Sequence, residues 1–313
     1  MSTYLDIGTA KVGIELTNRC NMRCSMCPLP TLSRPTADMP WPLVEKVAAD
    51  FAANEIQVRW LHEMGEPLLY ERLADAIDLF PGCSVSTNAM ALTPEIGKRL
   101  LDSTLSRLRL CPDTVNPKVY PEIRRGGVYD KVVANIKAFL KQADGSPITI
   151  EIQKMVSKLT SDERMEDFET LYDITRFPNA KIIEKTCEGL DTTDATDLHE
   201  EYYGCFQGYP FKWFIVMADG RVTHCCYDSD CLQPIGDMNT QTVEEIVHGP
   251  RIDQFMEAFR AKDWQTLPRC GECHRNPTPT AVFKDQLVQL GHKVERLLPV
   301  KAIGRKVFNR GPR

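Results

Sequence analysis

Three cysteines within eight residues constrain this chain more than any other feature. Cys20, Cys24 and Cys27 form a C-x3-C-x2-C run, followed at once by Pro28 and preceded by the β-rich stretch Val12–Thr17. The chain holds twelve cysteines in 313 residues. Its opening residues, Met1-Ser2-Thr3-Tyr4-Leu5-Asp6, show no basic region leading into an apolar run. No secretory signal is therefore expected, and a cytoplasmic, reducing location is. In that setting clustered cysteines point to metal or catalysis rather than to disulfides. Three thiolates at this spacing can hold three corners of an iron–sulfur cubane, leaving one iron open to a chelating ligand. The alternative is a zinc site whose fourth ligand comes from far along the chain.

The segments around the cysteines set the expected fold. Short β-rich runs stand at Val12–Thr17, Ile56–Leu61, Ser84–Thr87, Arg107–Leu110, Ile148–Met155 and Lys181–Glu184. Helical spacing lies between them, at Pro42–Ala53, Leu69–Leu79, Pro94–Leu101, Tyr129–Gln142 and Glu163–Tyr172. Pro42 and Pro94 sit where helices favour a start. Repeated strand–helix alternation predicts βαβ units and a mainly parallel α/β sheet, with the ligand at the carboxyl ends of the strands. Residues 1–186 are read as this first domain. Alternation stops near residue 187. Residues 187–275 are read as a small cysteine-rich domain around a hairpin, Trp213–Met217 and Val222–Cys226, turned by Asp219-Gly220. Thr242–His248 and Ile252–Phe259 follow as helices. The most apolar stretch, Trp213–Ala218, is too short to span a bilayer.

A second cysteine group lies in that domain. Cys205, Cys225, Cys270 and Cys273 make a complete four-thiolate set, fit for a closed iron–sulfur cluster or for zinc. Five cysteines remain: Cys83, Cys111, Cys187, Cys226 and Cys231. A spare cysteine usually acts as a small buried hydrophobe, the reading given to Cys83 and Cys226. Cys111 ends a strand and Cys231 sits in a loop near the second group. Either could donate a hydrogen atom from its weak S–H bond, and Cys226 is kept with them as a catalytic candidate.

The C-x3-C-x2-C loop after the first strand of an α/β domain resembles the radical S-adenosylmethionine (SAM) superfamily. Met64-Gly65-Glu66-Pro67 is similar to that family's Gly-Gly-Glu-Pro motif, with Met64 replacing the first glycine. Ser86-Thr87-Asn88 is similar to its ribose-contacting strand end. Ile123-Arg124-Arg125-Gly126-Gly127, after Asp113-Thr114-Val115-Asn116-Pro117, resembles a segment of members with cysteine-rich C-terminal domains. The later cysteines resemble a SPASM domain in its truncated, one-cluster "twitch" form, the type of the deoxy-inosamine dehydrogenases of butirosin biosynthesis. The resemblance covers roughly residues 11–275.

That resemblance implies a partial (β/α)6 barrel with a small C-terminal auxiliary-cluster domain. It implies a [4Fe-4S] cluster on Cys20, Cys24 and Cys27 whose open iron chelates SAM, and an auxiliary [4Fe-4S] cluster on Cys205, Cys225, Cys270 and Cys273. The cofactor contacts implied are Met26 to the adenine, Gly65, Glu66 and Pro67 to the methionine end, and Ser86, Thr87 and Asn88 to the ribose. Arg124 would pair with the SAM carboxylate or brace the loop. Taken singly, Glu66 reads as a helix-start carboxylate and Ser86-Thr87-Asn88 as a strand-end turn.

Three reactions follow. The first is dehydrogenation of a hydroxylated small molecule of sugar or aminocyclitol type, with His62, Lys154 or Arg59 handling the proton. The second is epimerisation with a cysteine thiol as hydrogen donor, and the third is modification of a peptide. An electron donor such as flavodoxin or ferredoxin would serve all three. A net charge of −5 gives no reason to expect nucleic acid. Residues 276–313 read as a basic tail. From residue 274 onward nine Lys/Arg face two Asp/Glu, so the rest of the chain carries −12. Val282, Leu287, Leu290, Val294 and Leu297 suit a helix docked on that acidic body, favoured over contact with an anionic membrane.

Overall fold

Six of the β-rich runs become parallel strands laid side by side in chain order. The computed structural model describes residues 4–186, 205, 210–271 and 273. The strands are β1 (Lys11–Ile14), β2 (Val58–Trp60), β3 (Ser84–Thr87), β4 (Arg107–Asp113), β5 (Thr149–Val156) and β6 (Ala180–Thr186). Each pairs in parallel with the next. Helices α1 (Trp41–Ala53), α2 (Leu73–Leu79), α3 (Pro94–Leu101), α4 (Tyr120–Ile123), α5 (Tyr129–Gln142) and α6 (Met165–Tyr172) lie in the connections. This is the expected α/β architecture with a parallel sheet core.

The helices form where capping and an apolar stripe coincide. Thr93 accepts the Ile96 N–H, and Pro94 occupies the first turn of α3, where a missing N–H costs nothing. Leu43, Val47 and Phe51 recur every four residues and bury one face of α1. The reading of one helix over Leu69–Leu79 is corrected. Pro67–Leu69 form a single 3-10 turn, and α2 starts only at Leu73. The Glu66 side chain accepts the Leu68 N–H, which satisfies the early turn locally and lets the chain reset before α2.

The cysteine-rich hairpin extends the same sheet. Strand β7 (Trp213–Val216) pairs in parallel with β1, while β8 (Arg221–Thr223) and β9 (Gly236–Asp237) add antiparallel strands, giving the order β6-β5-β4-β3-β2-β1-β7-β8-β9. The second hairpin strand stops at Thr223, not at Cys226. The buried Asp228 carboxylate accepts from Thr223 Oγ1 and from the backbone N–H groups of Leu232 and Gln233. Those bonds wrap residues 224–233 into a loop, so Cys225 and Cys226 leave the ladder. Helices α7 (Val243–Val247), α8 (Pro250–Ala261) and α9 (Pro268–Gly271) follow.

The chain divides into two compact units. The first comprises Met1–Thr196 with Phe211–Gly271 and holds the whole sheet. The second comprises Asp197–Pro210 with Glu272–Arg313. Within it, Cys205 and Cys273 are partly buried. The expected C-terminal helix and Cys187 lie outside the described residues. Among the described residues no helix is long and apolar enough to cross a membrane.

Candidate active site

The cysteine loop follows β1 and is held from behind by the end of α4 and the residues just after it. The Arg23 N–H donates to the Arg125 carbonyl at 2.8 Å and the Ser25 N–H to the Ile123 carbonyl at 3.0 Å. Cys24 is buried, and Cys20 and Cys27 are partly accessible. Arg124 reaches the loop from this brace. Its Nη1 lies 3.4 Å from Cys24 Sγ, and its Nη2 lies 2.5 Å from Asp113 Oδ2. Gln153 Nε2 donates to the other Asp113 oxygen at 2.8 Å. Burial opposes the charge on Arg124, but Asp113 and Cys24 more than offset it, so the guanidinium stays charged. Arg124 therefore braces the loop. Its Nε is buried without a partner, a donor left over for a ligand. Met26 packs beside Ile123 and Met155.

The loop after β2 meets the cysteine loop through Gly65. Its φ is +87°, and a Cβ there would lie 2.6 Å from the Thr17 carbonyl and 2.8 Å from the Arg19 carbonyl. Only glycine fits both the conformation and the gap. The Glu66 N–H then donates to the Arg19 carbonyl at 2.7 Å. Glu66 is almost wholly buried, and its carboxylate collects Thr87 Oγ1 at 2.6 Å and the N–H groups of Asn88 at 2.8 Å and Leu68 at 3.1 Å. It clamps the β2 loop to the end of β3. Asn88 Nδ2 continues the tie to Asn21 at 2.8 Å, beside Cys20. Pro67 is buried in the same turn, and the Ser86 N–H donates to His62 Nδ1 at 3.2 Å. The sequence motifs thus converge on one corner. Gly65→Ala is expected to cost several kcal/mol and to lower SAM affinity together with stability. Calorimetric SAM binding and thermal unfolding check it, and parent-like values for both would contradict the reading.

The donor set suits a cluster. Burial pushes the Cys20 thiol up to about 11, with Glu66, Cys24 and Cys27 adding to it, and burial also raises Cys27. Thiols raised in this way ionise only beside a strong positive charge, which iron supplies. Among the described residues no three His, Cys, Asp or Glu side chains converge on a point fit for a single metal ion. A cubane needs no such point, because each thiolate meets its own iron.

The later cysteines are scaffolded separately. Gln233 accepts from the N–H groups of Arg269 and Cys270 and donates through Nε2 to Cys270 Sγ at 3.4 Å. Arg269 Nε donates to the Tyr227 carbonyl at 2.8 Å, tying α9 to the Cys225 loop. A hydrogen bond from Cys226 lowers Cys225, and the same bond followed by burial raises Cys226. Cys225 and Cys270 belong to the first unit, Cys205 and Cys273 to the second. Their grouping as four ligands rests on their order in the chain.

The spare thiols differ in setting. Cys83 is fully buried. Cys231 is fully buried against Ile215 and Met217, with φ +51°, and burial followed by Asp228 pushes it up to about 12. Cys111 is buried on β4, and burial followed by Asp113 pushes it up to about 12. Cys226 packs on the Ile215 cluster beside Trp60 and Trp213. Of the expected proton handlers, His62 lies two residues beyond β2 and is pushed down to about 3, first by burial and then by Arg109 and Lys185. Lys154 is buried against Glu184 at 3.0 Å, and Arg59 is exposed.

Sequence reasoning passed over Glu63. It sits two residues before Gly65, and its Oε2 accepts from Trp60 Nε1 at 3.2 Å. Burial pushes its carboxyl up to about 8, with Glu15 and Cys225 adding to the shift and Trp60 opposing it. The acidic residue directly beside the motif was the available signal. Room for Trp60 comes from Gly13 on β1, where a Cβ would lie 2.2 Å from the indole.

With this geometry in place, comparison with known proteins defines the class. Residues 14–153 match the radical SAM superfamily, and residues 205–274 match the SPASM iron–sulfur cluster-binding domain. The chain belongs to the radical SAM enzymes and carries a SPASM domain. Those domains imply a SAM-bound [4Fe-4S] cluster and an auxiliary cluster as cofactors.

Among curated relatives, GTP 3',8-cyclase of Limosilactobacillus fermentum is 33% identical over 135 residues, which is 40% of each chain. A probable GTP 3',8-cyclase of Archaeoglobus fulgidus is 29% identical over 158 residues, 49% of this chain and 51% of that one. The chain thus matches about half or less of these relatives' length. Among solved structures, BtrN in complex with AdoMet and 2-DOIA has TM-score 0.55 at 16% identity, covering 84% of this chain and 92% of that one. Native anSMEcpe with bound AdoMet has TM-score 0.59 at 15% identity, covering 91% of this chain and all of that one. Streptococcus suis SuiB bound to S-adenosylmethionine has TM-score 0.54 at 16% identity, covering 80% and 68%. These likenesses concern the fold.

Proposed function

We propose that the protein oxidises a hydroxylated small molecule of sugar or aminocyclitol type, removing two hydrogens. The observation that carries this reading is Glu63, a carboxyl raised toward neutral pH within electrostatic reach of Cys225. Oxidation of a carbinol carbon must dispose of a hydrogen atom, a hydroxyl proton and an electron. When bound, the clusters supply the redox chemistry, one providing the electron that splits SAM into methionine and a 5'-deoxyadenosyl radical and the other accepting the electron left on the substrate. Glu63 accepts the hydroxyl proton, and a base titrating near the working pH is the effective kind. Its place beside an auxiliary-cluster ligand puts proton acceptor and electron exit together. Cys20, Cys24 and Cys27 hold the SAM cluster; Cys205, Cys225, Cys270 and Cys273 hold the auxiliary one. Met26, Gly65, Pro67, Ser86, Thr87 and Asn88 form the SAM cradle, with Glu66 and Arg124 keeping its walls in place.

Epimerisation is the second reading. It is favoured by Cys111, Cys226 and Cys231, all raised and hence kept as S–H, the form that donates a hydrogen atom. Turnover of candidate substrates in deuterated buffer separates the two. A product two hydrogens lighter supports dehydrogenation, whereas an unchanged formula with one deuterium defeats it. Glu63→Gln keeps the shape and removes the base. It is expected to lower the oxidation rate about 100-fold or more while SAM binding is retained. A rate within about threefold of the parent would remove Glu63 from the proton path.

A further inference from the structure

Gln233 is a buried polar side chain that neither the SAM corner nor the proton path uses. Its backbone is anchored first. The Gln233 N–H donates to Asp228 Oδ2 at 3.0 Å, and the Asp228 N–H donates to the Cys225 carbonyl at 3.0 Å. Asp228 is itself wholly buried. Two hydrogen bonds thus lead from the Cys225 loop to Gln233. From there the side chain reaches α9. Its Oε1 accepts from the Arg269 N–H at 2.5 Å and from the Cys270 N–H at 3.1 Å, and its Nε2 lies 3.4 Å from Cys270 Sγ. Arg269 Nε closes the circuit on the Tyr227 carbonyl at 2.8 Å.

This pattern fixes which way the amide faces. Two backbone N–H donors can be met only by the oxygen, so the NH2 group is left toward the sulfur. A neutral thiol is a weak acceptor, whereas an ionised sulfur is a strong one. A buried amide donor held on Cys270 Sγ therefore fits a sulfur that is ionised and bound to metal. Burial keeps water from screening the bond. Such a donor draws negative charge off the sulfur. It favours the reduced form of a cluster, which carries one more electron, over the oxidised form, and so raises the reduction potential.

We propose that Gln233 is a positioning residue of the auxiliary centre: it seats Cys270 and, through its Nε2–H on Sγ, raises the potential at which the auxiliary cluster takes up an electron. The inference rests on the reading of Cys270 as an auxiliary-cluster ligand and gives the electron-accepting role of that centre a residue of its own.

The test uses the full-length protein, reconstituted anaerobically with SAM bound and without substrate. Electron paramagnetic resonance during a redox titration reads the two potentials. Gln233→Glu keeps an oxygen for the Arg269 and Cys270 N–H groups but offers the sulfur no N–H. Gln233→Met removes both functions. Each variant is expected to hold about eight irons and to take up the auxiliary electron about tenfold less favourably, a fall of about 59 mV for one electron. The SAM cluster, read in the same titration, is expected to move less than about twofold, or about 18 mV. A residue that only supported the fold would leave the potential of a retained cluster where it was. The proposal is overturned if a variant holding about eight irons keeps the parent's auxiliary potential within about 18 mV, or if both clusters shift equally. Loss of the auxiliary cluster from both variants also overturns it, since Gln233 would then serve assembly with no separate effect on the sulfur. A parent with about four irons overturns it together with the ligand reading, so the iron count tells the two failures apart. The titration involves no turnover, so its result is independent of the mass-shift test for dehydrogenation.

Discussion

The Cys24→Ala protein, reconstituted anaerobically, is expected to hold about four irons per chain in place of about eight and to cleave no SAM. Cys24 is the buried member of the three, and its sulfur is the one that Arg124 meets at 3.4 Å. Its removal takes away one corner ligand, and the two remaining thiolates cannot retain a cubane with one iron reserved for SAM. Arg124 keeps its 2.5 Å pairing with Asp113, so the brace behind the loop survives and the loss is one of chemistry rather than of fold. Cys83→Ala serves as the control, because Cys83 is fully buried and belongs to neither cysteine group in the sequence. Iron analysis and 5'-deoxyadenosine release under reducing conditions are the measurements. Retention of about eight irons, or SAM cleavage near the parent rate, would refute the ligand assignment. A parent with about four irons and bound zinc would refute the auxiliary cluster instead.

Glu15→Ala is expected to destabilise the first unit by about 3–5 kcal/mol, enough to leave much of it unfolded under mild conditions. Glu15 follows β1 and is completely buried. Its carboxylate takes Arg34 Nη1 at 2.5 Å and Nη2 at 2.6 Å, and the N–H groups of Met64 at 3.0 Å and Ala218 at 3.2 Å. One side chain thus binds the ends of β1, β2 and β7 and the chain beyond the cysteine loop. Arg34 carries the connection onward through Nε to the Ser229 carbonyl at 2.6 Å. Removing Glu15 leaves a buried guanidinium without its counter-charge and two backbone donors without an acceptor. Replacing both partners, as Glu15→Met with Arg34→Met, removes the stranded charge and is expected to recover part of the loss, though not the two N–H bonds. Urea unfolding of the three proteins measures this. A Glu15→Ala midpoint close to the parent's would show that the pair holds nothing together.

Much of the site was legible before the fold was seen, because its chemistry is local. Cys20, Cys24 and Cys27 sit within one loop, and Gly65 and Glu66 within one turn. Ser84–Thr87, Pro94–Leu101 and Tyr129–Gln142 fall as strand and helices where their periodicity puts them. Helix and strand periods are properties of neighbouring residues, so a linear reading detects them. The exceptions have tertiary causes. Cys225 and Cys226 leave the β8 ladder because Asp228 gathers donors from both sides of their loop. The helix read over Leu69–Leu79 starts late because Glu66 closes a turn of its own.

From the chain alone come the class of chemistry, the α/β alternation and the two cysteine groups, since each follows from residue type and spacing. The tertiary structure alone shows that Glu66 and Arg124 spend themselves on Thr87, Asn88, Asp113 and Cys24. It alone raises Glu63 into the range of a base. Those facts depend on burial and on the electric fields of residues far apart in the chain. Neither quantity exists until the parallel strands bring the residues together.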